Sequence, residues 1–166
     1  PVLHQRVLAA RKARGTKIVV VDPRRTASCD GADMHLALQP GSDVALFNRL
    51  FTAIYEGGAL DKEFLLHTTG FDDTLRAAYS DDAANTGLDE RDIAAFCDLW
   101  MRTEKVVTIY SQGVNQSTSG SDKVNAILNC HLATGRIGKP GSGPLSVTGQ
   151  PNAMGGREVG GLANTL

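Results

Sequence analysis

A polar loop with the residue types that bind nucleotides follows a β-branched run near the start of the chain. The loop reads "DPRRT", and the carboxylate of Asp22 can there accept two hydrogen bonds from the hydroxyls of a ribose. Arg24 and Arg25 can bind phosphate through forked hydrogen bonds. The alternatives stay open, because an Asp before Pro23 commonly forms a turn and neighbouring surface arginines are often only solvated.

A second polar loop, "SQGVNQSTSG", follows another β-branched run. Gln112, Asn115 and Gln116 stand there beside Gly113, and an amide offers both a donor and an acceptor to the edge of a heterocycle. Polar loops without any ligand are common, so this motif is weak when taken alone.

The third candidate is "PGSD", which comes directly before a helical pattern. Gly41, Ser42 and Asp43 would lie at the amino end of that helix, where backbone N–H groups attract anions or polar ligand edges. The same residues are also an ordinary capping sequence, with Ser42 or Asp43 as the cap.

The sequence lacks the motifs of several catalytic classes. "GRIGKPGS" fails as a phosphate-binding loop, because Pro140 replaces the required Ser or Thr and the glycine spacing is wrong. No G-x-S-x-G motif occurs, and the histidines have no metal-ligand spacing. Cys29, Cys97 and Cys130 are too far apart for a zinc or iron–sulfur site within the chain. We therefore predict no metal site here, and predict that Cys97, Cys130 and His131 belong to the core.

Composition restricts the remaining classes. The 166 residues suffice for one domain, and 42% hydrophobic with 21% charged residues is typical of a globular protein. A formal net charge of −1 provides no excess of basic residues with which to bind nucleic acid. No apolar run is long enough to span a bilayer, and no signal peptide opens the sequence. The start at Pro1, already within a helical pattern, indicates a segment cut from something longer.

Alternating helical and strand patterns must position the three loops. "KIVVVD" and "KVVTIYSQG" are continuous β-branched runs, which is typical of strands buried on both faces of a parallel sheet. Amphipathic helices are predicted before the first run, at 43–56, over 61–79 as one or two short helices, at 89–102 and around 124–132. The fold class is therefore α/β, with one or two further strands still to be located. Ligands of such sheets gather outside the carboxyl ends of the strands, where "DPRRT" and "SQGVNQ" both lie.

The ordered string "KIVVVDPRRT", "QPGSDVAL", "YSQGVNQSTSG" and "HLATGRIGKPGSGPLSVTGQPNAMGGREVG" resembles the molybdopterin oxidoreductases over nearly the whole chain. The likeness is strongest to nitrate reductases of the bacterial assimilatory and periplasmic types. It implies a Rossmann-like, dinucleotide-binding three-layer domain over residues 1–149, with a parallel sheet flanked by helices. Residues 150–166 would be a glycine-rich segment that leads into a neighbouring domain.

The resemblance implies a molybdenum bis(molybdopterin guanine dinucleotide) cofactor, of which this region would hold one guanine dinucleotide. Asp22 to Thr26 would contact nucleoside and phosphate, Gly41 to Asp43 the guanosine, and the 112–116 loop the cofactor. The cofactor-binding residues implied in this way are Asp22, Pro23, Arg24, Arg25, Thr26, Gly41, Ser42, Asp43, Gln112, Gly113, Asn115, Gln116 and Gln150.

Nitrate is the substrate that the resemblance favours. Related formate dehydrogenases have an arginine immediately before "GQ", where this chain has Thr148. Arg157 matches an arginine that nitrate reductases place near the substrate funnel, where a cation can orient an oxyanion. A formate dehydrogenase or another oxyanion reductase remains an alternative, as does a plain ion pair between Arg157 and Glu158. A non-catalytic nucleotide-binding or interaction module is the alternative from another class.

The resemblance also implies partners outside this chain. The family's 4Fe-4S segment, its molybdenum-ligating residue and its carboxy-terminal cofactor domain have no counterpart here, so we expect the isolated fragment to be inactive. The expected partners are the remaining domains of the polypeptide, an electron-donor protein or domain, and nitrate. The expected location is the cytoplasm, with the periplasm as the alternative.

Overall fold

The structure is a computed structural model that describes residues 2–81 and 83–148. Its helices are α1 (Val2–Arg14), α2 (Asp43–Glu56), α3 (Lys62–Leu65), α4 (Phe71–Ser80), α5 (Glu90–Arg102), α6 (Gln112–Asn115) and α7 (Gly120–Ala133). Its strands are β1 (Val19–Val21), β2 (Met34–Leu36), β3 (Val107–Tyr110) and β4 (Gly143–Ser146). Short 3-10 turns occupy Ala27–Gly31 and Ala83–Thr86.

The strands form two separate parallel pairs within the described residues. β1 pairs with β2 in the register Val19 to Met34 and Val21 to Leu36, and β3 pairs with β4. The expected mixture of helices and parallel strands is therefore observed, but as two small sheets and not as one; β1 and β2 are connected by a 3-10 turn, and β3 and β4 through α6 and α7. β2 and β4 are the further strands that the sequence pattern did not locate, and both are short.

The strand β3 differs from its prediction. Its β-branched run indicated burial on both faces, but Val107 is 48% exposed and Ile109 is 42% exposed. Leu145, the neighbour of Ile109 on β4, is 45% exposed on the same sheet. Exposed and half-buried residues alternate along β3. Only one face of this sheet therefore packs against the described residues.

The core lies between α2, α5 and α7. Leu46, Leu50 and Ile54 of α2 are fully buried, as the helical spacing predicts. The same core includes Phe96 and Trp100 of α5 and Ile127 and Cys130 of α7. Cys97 and Cys130 are buried in the core, as expected; burial raises the pKa of the Cys97 thiol to about 11 and raises the pKa of the Cys130 thiol well above its usual value.

Helix α7 has a buried face that is rotated slightly from the predicted one. The apolar residues of the helix predicted around 124–132 include Val124, Leu128 and Leu132, which are only half-buried. The fully buried positions include Lys123 and Cys130 instead. The helix turns this stripe inward because it packs against α2, where the Cys130 thiol donates a hydrogen bond of 3.3 Å to the Phe47 carbonyl.

Candidate functional site

The loop after β1 is a turn fixed by Asp22. Its Oδ1 accepts a hydrogen bond of 2.8 Å from the backbone N–H of Arg24, so the turn-forming alternative for this residue is observed. Its own N–H donates to the Leu36 carbonyl at 3.2 Å, and its carbonyl accepts a 2.8 Å hydrogen bond from His35 Nε2. Among the described residues no hydrogen bond reaches Asp22 Oδ2, so a polar ligand can still use it.

The rest of this loop is open to solvent. Pro23, Arg24 and Arg25 are exposed, and Arg25 is only 3.4 Å from Asp30 in a pair whose side chains are 67% and 75% exposed. Such a pair adds little to stability, so the guanidinium can move to an anion at small cost. Thr26 precedes the 3-10 turn with its hydroxyl 4.0 Å from the Cys29 sulfur.

The segment before α2 is held by backbone hydrogen bonds. Gln39 N–H donates to the Thr86 carbonyl at 2.8 Å, and Ser42 N–H donates to the Gln39 carbonyl at 3.1 Å. Gly41 has a φ of +95°, a backbone conformation that a residue with a Cβ rarely adopts. Ser42 is the N-cap residue, but its hydroxyl donates backward to Gln39 at 2.7 Å and does not cap the helix. The prediction that Ser42 or Asp43 caps the helix with its side chain is therefore wrong, since Asp43 is already the first residue of α2.

Asp43 forms a largely buried ion pair at the start of α2. Lys123 Nζ of α7 lies 2.8 Å from Asp43 Oδ2, and the lysine and aspartate side chains are only 4% and 17% exposed. Asp43 therefore does not face solvent as a free surface carboxylate. Its charge is compensated from within the protein, and its second oxygen has no hydrogen-bond partner among the described residues.

The loop after β3 forms the single turn of α6. Gln112, Gly113 and Asn115 belong to it, and Gln116 is its C-cap; all four residues are exposed. Asn115 Nδ2 donates to Ser146 Oγ at 3.3 Å, which links α6 to the carboxyl end of β4. The amides of Gln112 and Gln116 make no side-chain hydrogen bond within the described part of the chain.

Helix α7 contacts two of the three predicted ligand-binding segments, the start of α2 and the loop after β3. Lys123 in its first turns holds Asp43, while its first residue, Gly120, lies directly against the Asn115 carbonyl. The Asp22 to Thr26 loop connects to the start of α2 through β2. No hydrogen bond or ion pair among residues 2–81 and 83–148 joins that loop to α6. Gln150 and Arg157 lie outside the described residues.

The loops of the site present carboxylate, guanidinium and amide groups, which can hydrogen-bond to a polar ligand. Within the described ranges no three His, Cys, Asp or Glu residues are grouped so as to hold a metal ion. His131 lies outside the three predicted loops, and burial and the neighbouring Arg136 lower its pKa to about 4. His131 is a core residue, with Nε2 2.8 Å from Thr108 Oγ1, as expected.

Three positioning residues escaped the sequence reasoning. Lys123 could have been found, because Lys123, Ile127 and Cys130 share one helical stripe and a lysine in such a stripe needs a partner. His35 gave no signal, since its partner is a backbone carbonyl. Thr86 lies in the polar stretch "SDDAANTG" but is buried, and its carbonyl accepts a hydrogen bond from the Gln39 N–H.

Comparison with known proteins identifies the family. A family model described as Molybdopterin oxidoreductase matches residues 1–166. The chain belongs to the molybdopterin oxidoreductase family. The family resemblance predicted from the sequence is thereby confirmed.

Several family members are similar along the whole chain. A nitrate reductase of Klebsiella oxytoca is 49% identical and one of Shewanella frigidimarina 47%, each over 100% of this chain. The F420-dependent formate dehydrogenase subunit alpha of Methanocaldococcus jannaschii is 36% identical over the same extent. The chain spans only 19%, 18% and 25% of these relatives, so it corresponds to one part of much longer proteins.

A solved structure has a similar fold. Acetylene hydratase from Pelobacter acetylenicus superposes with a TM-score of 0.72 and 26% identity over 80% of this chain and 19% of its own. The fold thus occurs within a larger protein there as well. No helix of the described molybdopterin oxidoreductase segment is long and apolar enough to cross a membrane.

Proposed function

We propose that this chain is the cofactor-binding region of a molybdenum nitrate reductase, which reduces nitrate to nitrite and water with two electrons and two protons. The observation that carries this choice is the identity of 49% and 47% to nitrate reductases, against 36% to a formate dehydrogenase subunit, over the same residues. Because the chain spans about a fifth of the nitrate reductases, the activity is that of the complete protein.

The residues at the site suit the guanine dinucleotide end of a bis-molybdopterin cofactor. Asp22 keeps one carboxylate oxygen for a ribose hydroxyl, while Arg24 and Arg25 are exposed and positive for a pyrophosphate. The start of α2 offers N–H groups and the Asp43 carboxylate, which complements the two N–H donors of a guanine edge. The exposed amides of Gln112 and Gln116 provide further neutral contacts.

These side chains and the molybdenum centre have different roles in the proposal. The molybdenum centre, when bound, supplies oxygen-atom and two-electron chemistry that protein side chains cannot perform. The residues of this chain bind and orient one dinucleotide through non-covalent contacts. We propose that the two parallel strand pairs belong to a Rossmann-like domain over residues 1–149, because both pairs are parallel and both loops follow the carboxyl end of a strand.

Substrate orientation is assigned to the glycine-rich segment 150–166. In this proposal Gln150 contacts the cofactor and the Arg157 guanidinium orients nitrate at the funnel. Thr148, in place of an arginine before "GQ", favours nitrate over formate. A 4Fe-4S cluster, the second dinucleotide site and the electron donor belong to other parts of the polypeptide or to a partner in the cytoplasm, so the 166 residues alone are inactive.

The test is a paired assay of the complete protein. With a reduced viologen as electron donor, nitrate should be reduced to nitrite, and formate should not reduce an oxidised viologen. Formate oxidation without nitrite formation would overturn the choice of substrate in favour of a formate dehydrogenase. A purified protein with neither molybdenum nor tungsten would instead support the non-catalytic nucleotide-binding module.

A further inference from the structure

A lysine occupies a buried position on the apolar face of α7. Lys123 lies on the face that otherwise carries Ala126, Ile127 and Cys130, and 4% of its side chain is exposed. Lysine is almost never buried to this extent without a partner, because an ammonium loses its hydration there. The partner is the carboxylate of Asp43, 2.8 Å away.

The pair joins two helices at one end of the molecule. Asp43 is the first residue of α2, and Lys123 is the fourth residue of α7. Only Oδ2 of Asp43 is taken by the ammonium, and the aspartate side chain is 17% exposed. The same end of α7 contacts α6 where Gly120 approaches Asn115. The start of α7 therefore contacts two of the predicted ligand-binding segments, Asp43 and α6.

We propose that Lys123 is a positioning residue that fixes the Asp43 carboxylate to recognise the N1–H and 2-amino edge of a guanine base. This inference rests on the proposed function, because it takes a guanine nucleotide as the ligand of the site. A carboxylate accepts from both donors of guanine, whereas adenine and cytosine present an acceptor at the corresponding ring nitrogen. Because the Lys123 ammonium binds one oxygen of the Asp43 carboxylate, that carboxylate is held in a single orientation toward the base.

The experiment compares nucleotide selectivity in the complete protein. GDP and IDP are titrated into protein prepared without cofactor, because IDP lacks only the 2-amino group. The wild type should bind GDP about tenfold more tightly than IDP, the loss expected for one hydrogen bond to a charged group. In Lys123→Met this ratio should fall to about one, and Lys123→Arg should keep most of it. GMP released by acid from the cofactor-loaded protein should fall in parallel.

The controls separate positioning from a structural role. Lys139→Met removes another Lys–Asp pair, that of Lys139 with Asp61 at 3.3 Å, and should leave the ratio unchanged. If Lys123→Met lowers the Tm but keeps the wild-type GDP to IDP ratio, the proposal is overturned. If Lys123→Met does not fold, Lys123→Gln retains one donor toward Asp43. Its ratio should then lie between those of the wild type and one, and an unchanged ratio overturns the proposal.

Failure of this inference is distinguishable from failure of the proposed function. A wild-type protein that releases no GMP and does not prefer GDP contradicts the proposed function itself. A wild-type protein with GMP and a clear preference, matched by Lys123→Met, contradicts only the role of Lys123.

Discussion

His35 Nε2 lies 2.8 Å from the backbone carbonyl oxygen of Asp22. A carbonyl oxygen can only accept, so Nε2 carries the proton and the tautomer of His35 is fixed. His35 on β2 pairs with Val20 on β1. Its ring therefore lies beside the turn that follows β1 and holds that turn by the hydrogen bond to Asp22. This contact connects the sheet to the first ligand loop.

His35→Leu should weaken cofactor retention without unfolding the protein, because the Asp22 turn loses its side-chain hydrogen bond to β2 and keeps the backbone hydrogen bond to Leu36. His35→Gln places an amide donor near the position of Nε2 and should restore most of the retention. The measurement is molybdenum and GMP per polypeptide, with His67→Leu as the control at an exposed histidine. Equal values in His35→Leu and His35→Gln would show that the hydrogen bond does not matter.

Protonation of His131 should destabilise the chain below neutral pH. Its pKa is lowered from 6.5 to about 4 by burial and by Arg136, so the unfolded state binds the proton more strongly. The stability is present above pH 6.5 and is lost as the pH falls toward 4. The expected loss in the free energy of unfolding is about 3 kcal/mol, because each tenfold difference in proton affinity between the two states corresponds to roughly 1.4 kcal/mol.

Urea unfolding between pH 7 and 4 measures this effect, and His131→Gln should flatten the curve in that window. The Asp33 carboxylate does not interfere there. Its pKa is lowered to about 2 from 3.8, first by the hydrogen bond from Ile18 N–H and then by that from Arg11, so its contribution is lost only below about pH 3.8. A stability curve of the wild type that is level from pH 6.5 to 4 would contradict the prediction.

Gly120→Ala should destabilise the junction of α6 and α7. A Cβ at Gly120 would lie 2.6 Å from the Asn115 carbonyl oxygen, a contact that forces the backbone apart. The expected cost is about 1–3 kcal/mol, the range for overpacking. Gly113→Ala is the matched control for stability, since its Cβ would have nothing within 4 Å. Thermal unfolding should therefore show a lower Tm for Gly120→Ala only, and equal Tm values would refute the close packing.

Arg136→Met should also destabilise the chain. The Arg136 guanidinium, 8% exposed as a residue, donates to the carbonyls of Trp100 and Thr103 at the end of α5. Removing it leaves the Thr103 carbonyl without its side-chain donor and the Trp100 carbonyl with the Thr103 N–H alone among the described residues, at a cost of about 2–3 kcal/mol. Arg102→Met, which breaks an exposed pair with Asp98, should change the free energy of unfolding by less than about 1 kcal/mol. A similar effect of both variants would exclude a special role for Arg136.

The sequence predicted the helices better than the sheet. Helix α2 was predictable because Phe47, Leu50 and Ile54 repeat at helical spacing and one face must be buried. Strand β4 was not, because "GPLS" contains a glycine and a proline and pairs with β3 through a long-range ladder that no local pattern indicates. Three-residue β2 is likewise too short to show a period.

The location of the candidate site is a prediction from the sequence, whereas the contacts that hold its loops are seen only in the structure. The rule that ligands gather at the carboxyl ends of parallel strands located the loops at Asp22 and Gln112. The partners of those loops come from long-range contacts, such as Lys123 with Asp43, 80 positions apart in the numbering. No local pattern specifies which of several carboxylates a buried lysine meets.

The central claim is that the Asp22 to Thr26 loop and the start of α2 hold a guanine dinucleotide, while Arg157 acts on the substrate. The most direct measurement is the molybdenum and GMP content of the complete protein carrying Asp22→Ala, compared with the complete protein carrying Arg157→Ala. We predict that Asp22→Ala loses most of its molybdenum and GMP, whereas Arg157→Ala keeps both and loses turnover with nitrate. Equal loss in the two variants, or full retention in Asp22→Ala, would contradict the account.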